Sequence, residues 1–201
     1  MRIAVLLLAA LVVGCTQNVG TEVGLMMPAD RWDEQCGDIG QDINKPTDPT
    51  SYPVRVVLNE NSVSAHDAEL MMQAVDALNA SFGFEVLVAV SQSEGTDNEP
   101  NTITIDTKPV HDGSAVGMTY YYGAGRSLVR VETSNTEGGL YPSSDYPDWS
   151  VVSIAEHEML HGLGLDHEED VTSLMNPQVG SKSKLSHHSF CKVWRDYIHA
   201  L

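Results

Sequence analysis

The order of apolar patterns along this 201-residue chain predicts an α+β fold. Three observations carry that reading. A strand-like alternation is followed at once by a helical stripe, four more strand-like stretches then come in succession, and two helical stretches lie in the C-terminal third. Runs of period two and runs of period 3.6 are segregated along the chain, which is the pattern of a sheet with helices packed on it.

The first element is "YPVRVVLN", where Val54, Val56 and Leu58 fall on one face of a half-buried strand. Ser62 or Ser64 is placed to cap a helix running to about Asn79, with Leu70, Met71, Ala74, Val75 and Leu78 as its apolar stripe. "FEVLVAVS" reads as a strongly apolar strand and "NTITIDT" as a β-branched one. "GMTYYYGAG" and "RSLVRVET" read as two strands around a glycine-containing turn, followed by a Gly, Pro and Ser-rich loop over 134–147. A helix starting near Asp148 or Ser150 covers "WSVVSIAEHEMLHGLG". After an irregular segment, Ser186 caps a last helix with Phe190, Val193, Trp194 and Tyr197 at helical spacing.

Composition narrows the function. With 28 acidic against 11 basic side chains the formal net charge is −17, which excludes a nucleic-acid partner of the ordinary basic-faced kind. The N-terminal "MRIAVLLLAALVVGC" carries one cation, Arg2, before an apolar run from Ile3 to Val13. A membrane-spanning helix needs about 20 apolar residues, so the run reads as the core of a signal peptide. Its end, "VVGC", resembles the bacterial lipobox. That resemblance implies a signal over residues 1–14, an acylated Cys15, and an exported protein tethered to a bacterial membrane on its periplasmic or cell-surface side. Residues 15–50 then read as a tether or leader, and 51–201 as the folded domain. Of the three cysteines, Cys15 is assigned to lipid, which leaves Cys36 and Cys191 as a pair suited to an exported disulfide.

The chemistry is concentrated in "HEMLHGLGLDH", residues 157–167. His157 and His161 are one helical turn apart on one face, the spacing at which two imidazoles bind one ion. Glu158 is rotated about 100° from His157, so it is expected to act as a general base beside the metal and not as a ligand. Gly164 is placed to end the helix and turn the chain back, bringing His167 in as a third ligand. Three histidines leave a coordination position open to water, as catalytic zinc sites do.

"SLMNP", at 173–177, puts Met175 eight residues beyond His167. Together with the histidine motif it resembles the metzincin zinc endopeptidases, whose HExxHxxGxxH helix is followed by a turn bearing a methionine. Within that class "HGLGLDH", "SLMNP", the short spacing to Met175 and "HDGSAVGMTYYY" are most similar to the matrixins, over roughly residues 52–199. The resemblance implies a five-stranded mixed sheet with two long helices, a zinc cleft, a Met-turn at Met175 and a C-terminal helix. It implies a monomeric endopeptidase acting on protein or peptide substrates, with the substrate extended along an edge strand formed by Gly117, Met118, Thr119, Tyr120 and Tyr121. It implies one catalytic zinc held by His157, His161 and His167, with Glu158 as base.

The chain departs from the matrixin pattern at several places. Leu160 and Glu168 replace the usual glycine and serine, and Pro177 stands where astacins have a tyrosine. Thr119 occupies the place of a histidine that helps bind a structural zinc, which argues against a second zinc, although His111 and Asp112 are near in sequence. The acidic loops leave room for calcium, without an EF-hand-like spacing to hold it. Cys36 has two readings: a disulfide to Cys191, or, since "EQCGDIG" resembles the matrixin latency segment, a thiolate that blocks the zinc. His66, His187, His188 and His199 are expected to be solvated or isolated, and Tyr120 to Tyr122 to pack within the strand. The rival reading is a non-catalytic, zinc-containing surface-binding lipoprotein of the same fold.

Overall fold

A computed structural model describes residue 36 and residues 49–90, 99–107, 115–133, 147–178, 180 and 183–200, with the backbone alone for 198–200. The signal segment, Cys15, most of the leader, His111, Asp112 and the loop over 134–146 lie outside the described residues.

Five strands form one mixed sheet: β1 (Val54–Leu58), β2 (Leu87–Val90), β3 (Thr102–Asp106), β4 (Gly117–Gly123) and β5 (Arg126–Val131), in the order β2-β1-β3-β5-β4. The first four in that order run parallel, and β4, antiparallel to β5, stands at one end of the order with β2 at the other. Three helices complete the described fold: α1 (Ala65–Phe82), α2 (Asp148–Gly162) and α3 (His187–Ala200). The α+β class, the mixed five-stranded sheet and the element order agree with the sequence reading. Among the described residues no helix is long and apolar enough to cross a membrane.

Helix α1 starts because Ser64 accepts the Asp67 N–H at 3.1 Å and donates its own hydroxyl to the Asp67 carboxylate at 2.7 Å. It runs past Asn79, the expected end, to Phe82, and is closed by Gly83 at φ 75°. The reason is a tertiary one. The Asn79 amide leaves the helix backbone intact and instead grips the next segment, accepting from Val86 N–H and Leu87 N–H and donating to Leu87 C=O. Strand β2 therefore begins at Leu87, not at Phe84. Phe84 is drawn out of the sheet into an aromatic cluster with Phe82, Phe190, Trp194 and Tyr197, with ring centroids 4.4–6.4 Å apart. That cluster docks α3 on the end of α1.

The core lies between the sheet and helices α1 and α2: Val54, Val56, Ile103, Ile105 and Val129 from the strands meet Met71, Leu78, Ala155, Met159 and Leu160 from the helices, all fully buried. The C-terminal end of α2 presses closely on the sheet. A Cβ on Gly162 would lie 2.8 Å from Ile103 Cδ1 and 2.9 Å from Ser127 Oγ, so only glycine lets the helix approach this far. Cys36 and Cys191 are joined by a disulfide across 155 residues, which ties the N-terminal segment to α3. The blocking-thiolate reading of Cys36 does not describe this state, since its sulfur is bonded to Cys191.

Candidate metal centre

His157 and His161 project from the last turns of α2, and the helix then stops in a way that serves both the fold and the site. Gly164 adopts φ 87°, a left-handed conformation that costs a residue with a Cβ roughly 1–2 kcal/mol. Its N–H donates to His161 C=O at 2.8 Å, and Leu165 N–H donates to Leu160 C=O at 3.1 Å, the pair of bonds that defines a Schellman end. Leu160 and Leu165 are both buried beside it. The reversal expected from Gly164 is therefore present, and it delivers His167 to the other two histidines.

The three Nε2 atoms face one another at 3.1 Å (His157–His161), 3.2 Å (His161–His167) and 3.3 Å (His157–His167). Four nitrogens about 2.0–2.1 Å from a tetrahedral ion would be about 3.3–3.4 Å apart, so the spacing fits one shared ion. Proton positions fit as well. His157 Nδ1–H donates to Leu174 C=O at 2.5 Å and His161 Nδ1–H to Leu165 C=O at 2.7 Å, because a carbonyl can only accept. In the neutral rings the two Nε2 atoms are then lone pairs pointing at each other, an arrangement that a cation relieves and a hydrogen bond does not. Burial lowers the His157 imidazole to about 4, with the Leu174 bond opposing and the charges of His161 and His167 adding, so it is neutral at pH 7. Orientation of His157 and His161 through their second nitrogens is the usual support of a histidine metal site. The three histidines form the metal-capable group, and Glu158 is not part of it.

Glu158 is 5 % exposed and turns toward strand β4. Its Oε2 lies 2.7 Å from Thr119 Oγ1, and burial raises its carboxyl to about 7, with the Thr119 hydrogen bond opposing. Alternation along β4 divides the five edge-strand residues. Gly117, Thr119 and Tyr121 meet α2, where Tyr121 donates its hydroxyl to His161 C=O at 3.1 Å. Tyr120 lies on the other face under the Arg130 guanidinium, 5.3 Å from its centroid. Tyr121 and Tyr122 are more exposed than strand packing predicts.

Met175 is fully buried, and its carbonyl accepts the N–H of Glu168 at 2.8 Å, which closes the turn onto the residue after His167. Glu168, which the sequence marked only as a departure, joins this turn to α3. Its carboxylate accepts from Ser186 at 2.7 Å and Ser189 at 2.5 Å, at the start of α3. Burial opposes its ionisation, but the Ser189, Ser173 and Ser186 hydroxyls and the His188 charge outweigh it and hold the carboxyl below its ordinary value. Lys192, also buried, donates to Gly164 C=O. His66 is not isolated, since its Nε2 lies 3.3 Å from Asp148 Oδ1 at the start of α2. His187 and His188 are exposed as expected.

An α+β domain with a three-histidine metal-capable centre beside a sheet edge is what fold and site together define. No protein-family model and no curated protein matches this sequence. Among solved structures the chain is similar to metalloproteinase-II from Bacteroides fragilis, with a TM-score of 0.47 and 14% identity over 83% of this chain. The match spans 60% of that protein's length.

Proposed function

We propose that this chain is a zinc-dependent endopeptidase of matrixin-like type, its peptidase domain over residues 51–201 tethered to a bacterial membrane through a lipidated Cys15. The observation that carries the catalytic part is the convergence of His157, His161 and His167 Nε2 within 3.1–3.3 Å, beside a buried glutamate that is not a ligand. The tether rests on the "VVGC" sequence, and the substrate class on the motif resemblance.

His157, His161 and His167 would hold the zinc, whose Lewis acidity activates a water and polarises the scissile carbonyl. Glu158, with a carboxyl near pH 7, is matched to take a proton from that water and return it to the leaving amine. Among the described residues strand β4 has a sheet partner on one side, which supports pairing of its outer edge with an extended peptide. The exposed side of His167 faces solvent, which leaves the centre open to substrate.

The test is hydrolysis of casein or gelatin by zinc-loaded protein, abolished by chelator or hydroxamate. Glu158→Gln is expected to lower kcat by about 10²–10⁴-fold while retaining one zinc, since that is the order of a general base's contribution. If the zinc-loaded wild type cleaves no member of a broad peptide library, the non-catalytic zinc-binding lipoprotein replaces this reading. Intact-mass analysis of protein purified from its host tests the acyl chains on Cys15.

A further inference from the structure

Both oxygens of the Glu158 carboxyl lie against strand β4. A Cβ on Gly117 would lie 2.6 Å from Glu158 Oε1 and 2.8 Å from Glu158 Cγ, so the strand can come this close only where it has no side chain. Two residues along, on the same face, Thr119 Oγ1 lies 2.7 Å from Glu158 Oε2 and 2.9 Å from the Glu158 carbonyl oxygen. Tyr121, two further, donates to His161 C=O. Three successive same-face residues of one strand thus grip the helix segment that carries the base and the second ligand.

A glutamate side chain has several rotatable bonds, and a base is useful only if its carboxylate is held where the proton is. Ile154 Cγ2 closes another side of the same space, 2.7 Å from the Gly117 Cβ position, and leaves the carboxyl little room to swing. The Thr119 hydroxyl is the polar group that fixes its rotation within that space.

We propose that Thr119 is a positioning residue: its hydroxyl holds the Glu158 carboxylate in its working orientation, and the bare Cα of Gly117 supplies the room for it. This rests on the endopeptidase reading and deepens it. It also changes the part assigned to Thr119, whose side chain serves the base while its backbone belongs to the substrate edge.

The experiment compares Thr119→Val, which keeps the shape and removes the hydroxyl, with Thr119→Ser, which keeps the hydroxyl. Zinc content is measured in each. Thr119→Val is expected to lower kcat by about 10-fold or more with KM and zinc stoichiometry unchanged, and Thr119→Ser to restore most of it, because small displacements of a catalytic group have effects on the order of 10²-fold. A disturbed strand would instead raise KM. The contact itself is read without activity, from the Tm of metal-free wild type, Thr119→Val, Glu158→Ala and the double variant. Thr119→Val is expected to lower Tm by at least about 2 °C more in the wild type than in the Glu158→Ala background. Equal decrements in the two backgrounds, or a Thr119→Val kcat within about twofold of wild type, overturn the proposal. If the wild type hydrolyses no peptide, the endopeptidase reading falls and the Tm comparison alone decides whether Thr119 holds the carboxylate.

Discussion

His157 and His161 reach the metal centre by a different route from His167. The first pair sits in a buried helix whose period puts them on one face, and that helix is fixed by Met159 and Leu160 in the core. His167 is exposed and lies in a stretch with no regular secondary structure. Its place is set by the Gly164 reversal, by Lys192 on Gly164 C=O, by the Glu168 N–H on Met175 C=O, and by two serines on the Glu168 carboxylate. One part of the site is local and rigid by construction. The other is assembled by the segment from Ser173 to Lys192, so anything that loosens α3 should act on the third ligand first.

Removing a ligand gives the largest effect. His161→Ala or His167→Ala should weaken zinc binding by more than about 100-fold, beyond the usual loss from an outer partner, as read by competition with a chromophoric chelator. The two routes separate in the metal-free protein: His157→Ala, at a buried position, should lower Tm, and His167→Ala should leave it nearly unchanged. Equal Tm losses would erase the distinction between them.

Next comes the disulfide. Closing 155 residues stabilises the fold by about 5 kcal/mol in the chain-entropy picture, so the Cys36→Ser, Cys191→Ser pair should shift the urea midpoint strongly. Because Cys191 precedes Lys192, the same variant should speed zinc release measurably. A destabilised protein with an unchanged zinc off-rate would show that α3 does not govern the third ligand.

Lys192→Met and Glu168→Gln probe the assembled route directly and should each reduce zinc affinity about 10–100-fold, with the helix content of α2 preserved by circular dichroism. An unaltered affinity in both would leave the Gly164 turn and the Glu168 N–H to Met175 C=O bond as the positioning devices.

The smallest effect is electrostatic and sits on the local side. Burial pushes the Glu156 carboxyl, on α2, up to about 7 from 4.5. The folded state therefore holds a proton that the unfolded chain has released, so the stability it contributes is full below pH 4.5 and lost as pH rises through 7. Glu156→Gln, neutral throughout, should raise the Tm of metal-free protein at pH 8 and leave it nearly unchanged at pH 4. His157 runs the other way, its contribution full above 6.5 and lost as pH falls toward 4, but it is common to both proteins and cancels.

Much of this was legible in the residues. The element order followed from periodicity, and the shared face of His157 and His161, the place of Glu158 outside the histidine group and the Gly164 reversal followed from helical geometry and the backbone freedom of glycine. Boundaries failed where a side chain took a tertiary partner: Asn79, a natural helix stop, spends its amide on Val86 and Leu87, and Phe84 leaves a strand-like run for the aromatic cluster. The partners of Glu168 lie 18 and 21 residues away and carry no spacing signal.

The sequence by itself determined the α+β order, the placement of His157 and His161 on one helix face and the point where the helix must turn, because each depends on contacts within a few residues. It left the pairing of Cys36 open between two chemistries, and it placed Thr119 only on an edge strand. The tertiary structure decided that Cys36 meets Cys191, that Thr119 faces Glu158, and that α3 fastens the loop carrying His167. Those are meetings between segments far apart in the chain, and short-range periodicity holds no information about which distant surfaces come together.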